Sequence, residues 1–307
     1  MDQRAEFDAT VLFSNGGGLH AQGFRVDVPG PDVTDDEIAG LFVASLSLLM
    51  VEQVVLQNVR IVTEAHKGTR GGPSAPATAP ATTRWRLVEL SHVISAGMIT
   101  YPGLPAPEIT PHLTRADSKR VYAPGTEFAI DRISMVGNTG TCLDAPYHRY
   151  DGGTDLAGLE LSSLADLPAV VVRATGSRVR GVDAAALAAH DVAGRAVLLH
   201  TGGDAGWGTP EYARDAPYLT DDGAAWLVAQ GAVLVGIDSV NIDDAGGPGP
   251  GERPAHTRLL AAGIPVVEHL TGLDQLPPTG ARFTAAPPLI TGFGTFPVRA
   301  FAAVPAG

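Results

Sequence analysis

The chain has 307 residues, room for about two domains, and 45% of them are hydrophobic against 18% charged, a composition that excludes a largely disordered, collagen-like or coiled-coil protein. Thirty-three acidic residues outnumber 21 basic ones, and the net charge of −12 opposes a polyanionic partner, so nucleic acid is set aside. The single cysteine forms no internal disulfide, no apolar run reaches the about 20 residues of a membrane span, and the opening MDQRAEFD lacks the parts of a signal peptide; a cytoplasmic chain with no membrane partner is expected.

Residues 1–66 read as a small acidic α+β domain. They carry ten Asp and Glu against three Arg, a net of −7 that leaves −5 for the rest of the chain. Alternating or apolar runs at Thr10–Phe13, Gly23–Val28 and Gln53–Val62 predict strands. Between them, Thr34 and Glu37 have capping-box spacing and lead into the apolar run IAGLFVASLSLLM, which predicts a helix. Asn15-Gly16-Gly17-Gly18 lacks the GK[ST] ending of a phosphate-binding loop and reads as a turn. A β-β-α-β unit of about 60 residues is marginal in size for a domain standing alone. Residues 67–84 include GTRGGPSAPATAPATT, which has no large apolar side chain to bury, and are expected to be a linker.

From Trp85 onward short apolar strands alternate with helical runs, the pattern of an α/β domain over residues 85–307. Strands are expected at Ala169–Val172, Ala196–His200, Val233–Ile237 and Pro265–Val267, and helices at VDAAALAAH, DDGAAWLVAQ and HTRLLAAG. Functional groups in such a domain gather in the loops at strand ends.

The stretch richest in chemistry is Asn138-Thr-Gly-Thr-Cys142-Leu-Asp144-Ala-Pro-Tyr-His148. In extended backbone, positions 142 and 144 face the same way, so a thiol and a carboxylate converge, and Pro146 fixes the turn that brings His148 round. Bland readings stand beside this: a buried cysteine acts as a small hydrophobe and a loop histidine as a surface group. A Cys142 nucleophile activated by His148 is a further reading. His92 and His200, at strand ends, read as hydrogen-bonding core groups. No GxSxG elbow, dinucleotide fingerprint or CxxC pair occurs.

The same stretch resembles the signature H-x-G-T-H-x-D-x-P-x-H of the cyclase-type metal-dependent hydrolases, a superfamily that includes bacterial kynurenine formamidase, isatin hydrolase and proteins regarded as polyketide cyclases. Glu89-Leu-Ser-His92 with GMITYPGLP, HTGGDAGWGTPEY, LVGIDSVNID, the pair His256 and Glu268 within HTRLLAAGIPVVEHL, and FPVRAF extend the resemblance over about residues 86–303. It implies a kynurenine formamidase-like, swivelling β/α/β catalytic domain behind the small α+β domain.

Residue by residue, the resemblance implies that Asp144, His256 and Glu268 hold a metal ion, with Cys142 as a further ligand, and that His148 and Asp144 are catalytic. It departs at the two leading histidines, which are Asn138 and Cys142 here. One divalent ion follows, zinc favoured by a thiolate ligand over manganese, with a metal-free acid–base pocket as the alternative. Asn138, Tyr101 and Trp207 are the expected substrate contacts. Histidine's ordinary pKa of about 6.5 suits proton transfer near neutrality. The resemblance thus implies a hydrolase of an amide, cyclic amide or lactone of a small aromatic metabolite. A cyclase of a polyketide-like intermediate and a non-catalytic binding protein are the other readings. A small-molecule substrate and a homo-oligomer are the expected partners.

Overall fold

The computed structural model describes residues 2–46, 48–64, 85–177, 179–246 and 251–306; the expected linker, residues 67–84, lies outside them. The chain divides into two compact units, residues 1–81 and 82–307.

In the first unit, β1 (Asp2–Phe13), β2 (Gly18–Asp27) and β3 (Val51–Glu64) form an antiparallel sheet in the order β2-β1-β3, with α1 (Asp35–Ser45) between the second and third strands. Period-two alternation along β1 buries Ala5, Phe7, Ala9 and Val11, which share a core with Ile38 and Phe42 of α1. Glu6, on the opposite face, pairs with Arg25 and Arg60 of the flanking strands. Asn15–Gly18 is a hairpin turn: Phe13 N–H donates to Gly17 O at 2.9 Å, and Gly16 takes φ +85°. The capping box forms, with Glu37 N–H donating to Thr34 Oγ1 and Thr34 N–H to the Glu37 carboxylate. The helix nevertheless stops at Ser45, and only the first part of the apolar run is helical.

The second unit runs β4 (Trp85–Glu89), β5 (Glu108–Leu113), α2 (Arg115–Ser118), β6 (Ile130–Ser134), β7 (Cys142–Asp144), β8 (Leu167–Arg173), β9 (Gly181–Val182), α3 (Ala184–Leu187), β10 (Ala196–His200), β11 (Tyr218–Leu219), α4 (Asp221–Ala229), β12 (Leu234–Ile237), α5 (Pro254–Ala261), β13 (Val266–Glu268), β14 (Thr279–Thr284), β15 (Thr295–Pro297) and β16 (Phe301–Pro305). Nine of these strands make one mixed sheet, ordered β15-β7-β13-β12-β10-β8-β14-β16-β4. Its centre, β8-β10-β12-β13, is parallel, and antiparallel strands extend both flanks. The fold is therefore α/β, as expected.

Alternation in the central strands divides the core. Leu143, Val171, Leu198 and Val267 pack on one side with residues of the antiparallel flank. Val170, Val197, Val235 and Val266 pack on the other with Leu227 of α4 and Leu259 of α5. Two helices differ from the sequence reading: α3 is a single turn, and α5 begins at Pro254, where a proline suits the first helical turn. No helix among the described residues is long and apolar enough to cross a membrane.

Candidate active site

β7 is three residues long and fully buried. Leu143 points into the core while Cys142 and Asp144 share the opposite face, as period-two alternation requires. Antiparallel pairing sets Glu268 of β13 against Cys142 and Thr295 of β15 against Asp144. Two residues remote in sequence are thereby brought beside the motif by sheet register. After β7, a short helical turn opened by Pro146 carries His148.

The backbones are packed tightly enough here to require glycine. A Cβ at Gly294 would lie 2.5 Å from His148 N, and one at Gly137 would lie 2.2 Å from Thr295 O. Gly294→Ala is expected to cost about 1–3 kcal/mol in urea unfolding, through displacement of the His148 turn. An unchanged unfolding midpoint would refute that packing.

Thr295 links the two acidic and basic groups of the motif. Its hydroxyl donates to Asp144 Oδ1 at 2.5 Å and lies 2.6 Å from His148 Nδ1. A hydroxyl has one proton. Having given it to Asp144, Thr295 must accept from Nδ1–H of His148, which leaves Nε2 as the other ring nitrogen. The His148 side chain is 35% exposed and lines a cavity of about 310 Å³ with Asn138, Tyr147 and Phe293.

His256 approaches Asp144 from α5. Its Nε2 lies 3.3 Å from Asp144 Oδ2 and 3.6 Å from Glu268 Oε1. Asp243 fixes the ring, accepting from His256 Nδ1 at 2.6 Å while also taking the Ala255 and His256 backbone N–H groups. Glu268 Oε1 accepts from Ile242 N–H at 2.7 Å.

The charges follow from this crowding. Burial opposes a charge on His256, but hydrogen bonds to Asp144 and Asp243, with Glu268 nearby, outweigh it and raise its pKa to about 10. Burial pushes Glu268 up to about 8; Asp144 adds to this and His256 opposes it. Burial would also raise Asp144, yet His256, His148 and Thr295 hold it below the ordinary carboxylate value. Burial, then Asp144 and Glu268, push the Cys142 thiol well up.

The five residues picked out by sequence, Cys142, Asp144, His148, His256 and Glu268, therefore meet in one place, as two trios of ligand-type atoms within 4.8 Å of one another: Asp144, His148 and His256, and Cys142, Glu268 and His269. Asn138 lines the His148 cavity. Tyr101 and Trp207 sit instead in an aromatic cluster with Tyr212 and Val240. Trp207 reaches the site through His269, with ring centroids 5.6 Å apart. His92 corrects the sequence reading: it stacks on Trp207 at 3.9 Å, and its buried Nε2 has no hydrogen-bond partner among the described residues. His200 does bond, through Nδ1 to Arg173. Thr295, Asp243, His269 and Tyr212 were not foreseen from the sequence.

The Cyclase family model matches residues 88–244. The kynurenine formamidase of Geobacillus thermodenitrificans is 31% identical over 173 residues, 56% of this chain and 78% of that protein. That of Bordetella avium is 29% identical over 217 residues, 70% of this chain and 96% of its own length. Among solved structures, an isatin hydrolase bound to the product analogue thioisatinate aligns with a TM-score of 0.62 at 25% identity, covering 72% of this chain and 93% of that one. Isatin hydrolase A from Ralstonia solanacearum aligns at 0.60 and 25%, covering 72% and 92%. With a family model spanning half its length and relatives matched over most of theirs, the chain belongs to the cyclase family.

Proposed function

We propose that the protein is a metal-dependent hydrolase that opens an amide or cyclic amide bond in a small aromatic metabolite. The observation that carries this reading is the double use of Asp144. One oxygen anchors the Thr295–His148 chain while the other faces His256 Nε2. A proton-transfer group and a cation seat thus share one carboxylate. The kynurenine formamidase and isatin hydrolase relatives support the class of bond and substrate.

The donors suit a small divalent ion. Ligands about 2.0–2.1 Å from a tetrahedral ion are roughly 3.4 Å apart, and His256 Nε2 stands 3.3 and 3.6 Å from its carboxylate neighbours. The Asp243 bond to Nδ1 is the support that a ligating histidine ordinarily has. Asp144, His256 and Glu268 would hold the ion, and zinc fits this mixed nitrogen and oxygen set. A divalent ion held there would supply Lewis acidity towards an acyl carbonyl and a bound water.

The chain's own groups supply the rest. His148 Nε2, open to the cavity, accepts a proton from the attacking water and returns it to the leaving nitrogen. Thr295 holds the imidazole by Nδ1–H, so Nε2 presents its lone pair. Asn138 and Phe293 border the same cavity and bind a polar edge and an aromatic face of the substrate. The Asn138 amide also favours a second reading, ring closure of a poly-β-ketone, in which it donates to a developing enolate after His148 removes a proton.

An N-formyl arylamine, a fused aryl lactam and a poly-β-ketone should be offered to metal-loaded and chelated protein. Turnover of one of the first two, lost on chelation and restored by zinc, is expected. Turnover of the third alone would replace hydrolysis by cyclisation, and turnover indifferent to chelation would end the metal reading.

A further inference from the structure

We propose that the cavity at the start of α5 is an oxyanion site, taking a carboxylate or a phosphate between Arg149 and Arg253. The cavity measures about 570 Å³, and Arg149, Arg253, Arg258 and Thr257 stand in its wall with Asp221 and Glu252. Three of the chain's 21 basic residues therefore meet in one hollow of a protein whose net charge is −12, a concentration of positive charge that draws anions to that hollow.

The three arginines are not equivalent. Arg258 is neutralised, its Nε and Nη2 meeting the Asp221 carboxylate at 2.5 and 2.7 Å. Arg149 has only a long bond from Nε to Thr257 Oγ1, 3.4 Å, and a place over the Tyr150 ring, 5.4 Å from its centre. Arg253 has only a 3.3 Å bond from Nη1 to the Glu252 carbonyl. Thr257 holds the pair together, since its hydroxyl donates to Arg253 O at 2.6 Å while facing Arg149 Nε. Most of each guanidinium fork is left open, and such a fork grips a carboxylate or phosphate through two parallel bonds. The helix end itself is not the donor: Asp243 already takes the Ala255 and His256 N–H groups, so recognition falls to the side chains.

A solvated surface cation would account for Arg149, which is exposed. It leaves unexplained Arg253, half-buried and without a carboxylate partner among the described residues, where a charge lacking a counterion is unfavourable. The cavity is also tied to the groups of the reaction. Arg149 follows His148, Thr257 follows His256, and the Tyr150 hydroxyl donates to Thr257 O at 2.8 Å between the two segments. The oxyanion has two sources, the charged tail of the substrate or a free ion that sets the positions of His148 and His256, and both present the same oxygens to the two forks. Binding rests on these side chains and not on the hydrolase reading; only the choice between the sources does.

The test is calorimetric titration of the full chain with inorganic phosphate and with acetate, at constant ionic strength so that screening is fixed. Saturable uptake of one anion per chain is expected for at least one of them. Arg149→Gln and Arg253→Gln should each weaken it at least about tenfold. Arg253→Lys, which keeps the charge but not the fork, should recover only part of the loss, and Glu252→Gln, which removes the one carboxylate in the wall that no arginine engages, should tighten binding. Turnover of a neutral and a carboxylate-bearing N-formyl arylamine separates the sources. For a substrate tail, phosphate competes and both glutamine variants raise KM for the carboxylate-bearing amide alone; for a free ion, phosphate changes kcat for both amides alike. Wild-type protein that takes up neither anion saturably, which needs no variant to fold, would overturn the proposal; so would undiminished affinity in both glutamine variants.

Discussion

Replacing His148 by alanine is expected to lower kcat about 10²–10⁴-fold near neutral pH, with bound metal unchanged and KM moved little. The imidazole lies beside the proposed cation seat, and its nearest approach to Asp144 is 3.9 Å, with Thr295 between them. Its removal takes away the proposed proton acceptor while leaving Asp144, His256 and Glu268 in place. Thr295 gives the same argument a finer test. Thr295→Val keeps the shape of the side chain but removes the oxygen that fixes Nδ1–H, so a share of His148 turns its lone pair towards Asp144 and away from the cavity. A loss of about 10–100-fold follows, the usual size for a supporting partner, and Thr295→Ser should recover most of it. The pH profile of kcat separates this from mere loosening: valine should shift the limb that reports the base, and serine should not. Wild-type kcat in His148→Ala would remove this residue from the mechanism.

The parts of this arrangement that the sequence displays are the local ones. Alternation placed Cys142 and Asp144 on one face of β7, and Pro146 announced the turn to His148. The capping box of α1 and the glycine turn before β2 were equally legible, because their hydrogen bonds close within a few residues. His256 and Glu268 were identified only through resemblance, since sequence spacing alone does not say that β13 lies beside β7. Thr295 enters by pairing of β15 with β7 across 151 residues, and a threonine carries no mark of such a role. Asp243 lies twelve or so residues before the helix whose start it binds, too far for a cap signature. His269 was hidden for a different reason. Reading Glu268-His269 as extended backbone sends the histidine to the opposite face, and only the positive φ reverses this. The end of the helix IAGLFVASLSLLM was missed because apolar residues continue past Ser45 into β3, so periodicity gave no stop.

Metal uptake should be strongly proton-linked, and the same linkage should appear in the stability of the metal-free protein. The fold raises His256 from 6.5 to about 10 and Glu268 from 4.5 to about 8. Both folded values lie above the unfolded ones, so the metal-free folded chain holds more protons than the unfolded chain. The Glu268 contribution is complete below about 4.5 and is lost as pH rises through about 8; that of His256 is complete below about 6.5 and is lost through about 10. Stability of the metal-free protein should therefore decline from about pH 5 to 10. Asp144, shifted down, contributes in the opposite sense and only at acid pH, where its loss lies below this window. A divalent ion must displace the same protons to reach Nε2 of His256 and the Glu268 carboxylate. Affinity should climb up to about 100-fold per pH unit while both protons are displaced, below about pH 8, and about tenfold per unit from there to about pH 10. Calorimetry of zinc binding in two buffers of different ionisation enthalpy should count at least one proton released at pH 7. Zinc-loaded protein should also show a flatter pH dependence in urea unfolding than metal-free protein. An affinity that is flat with pH, or a metal-free stability that rises between pH 6 and 9, would mean that His256 is not held as a cation by Asp144, Asp243 and Glu268.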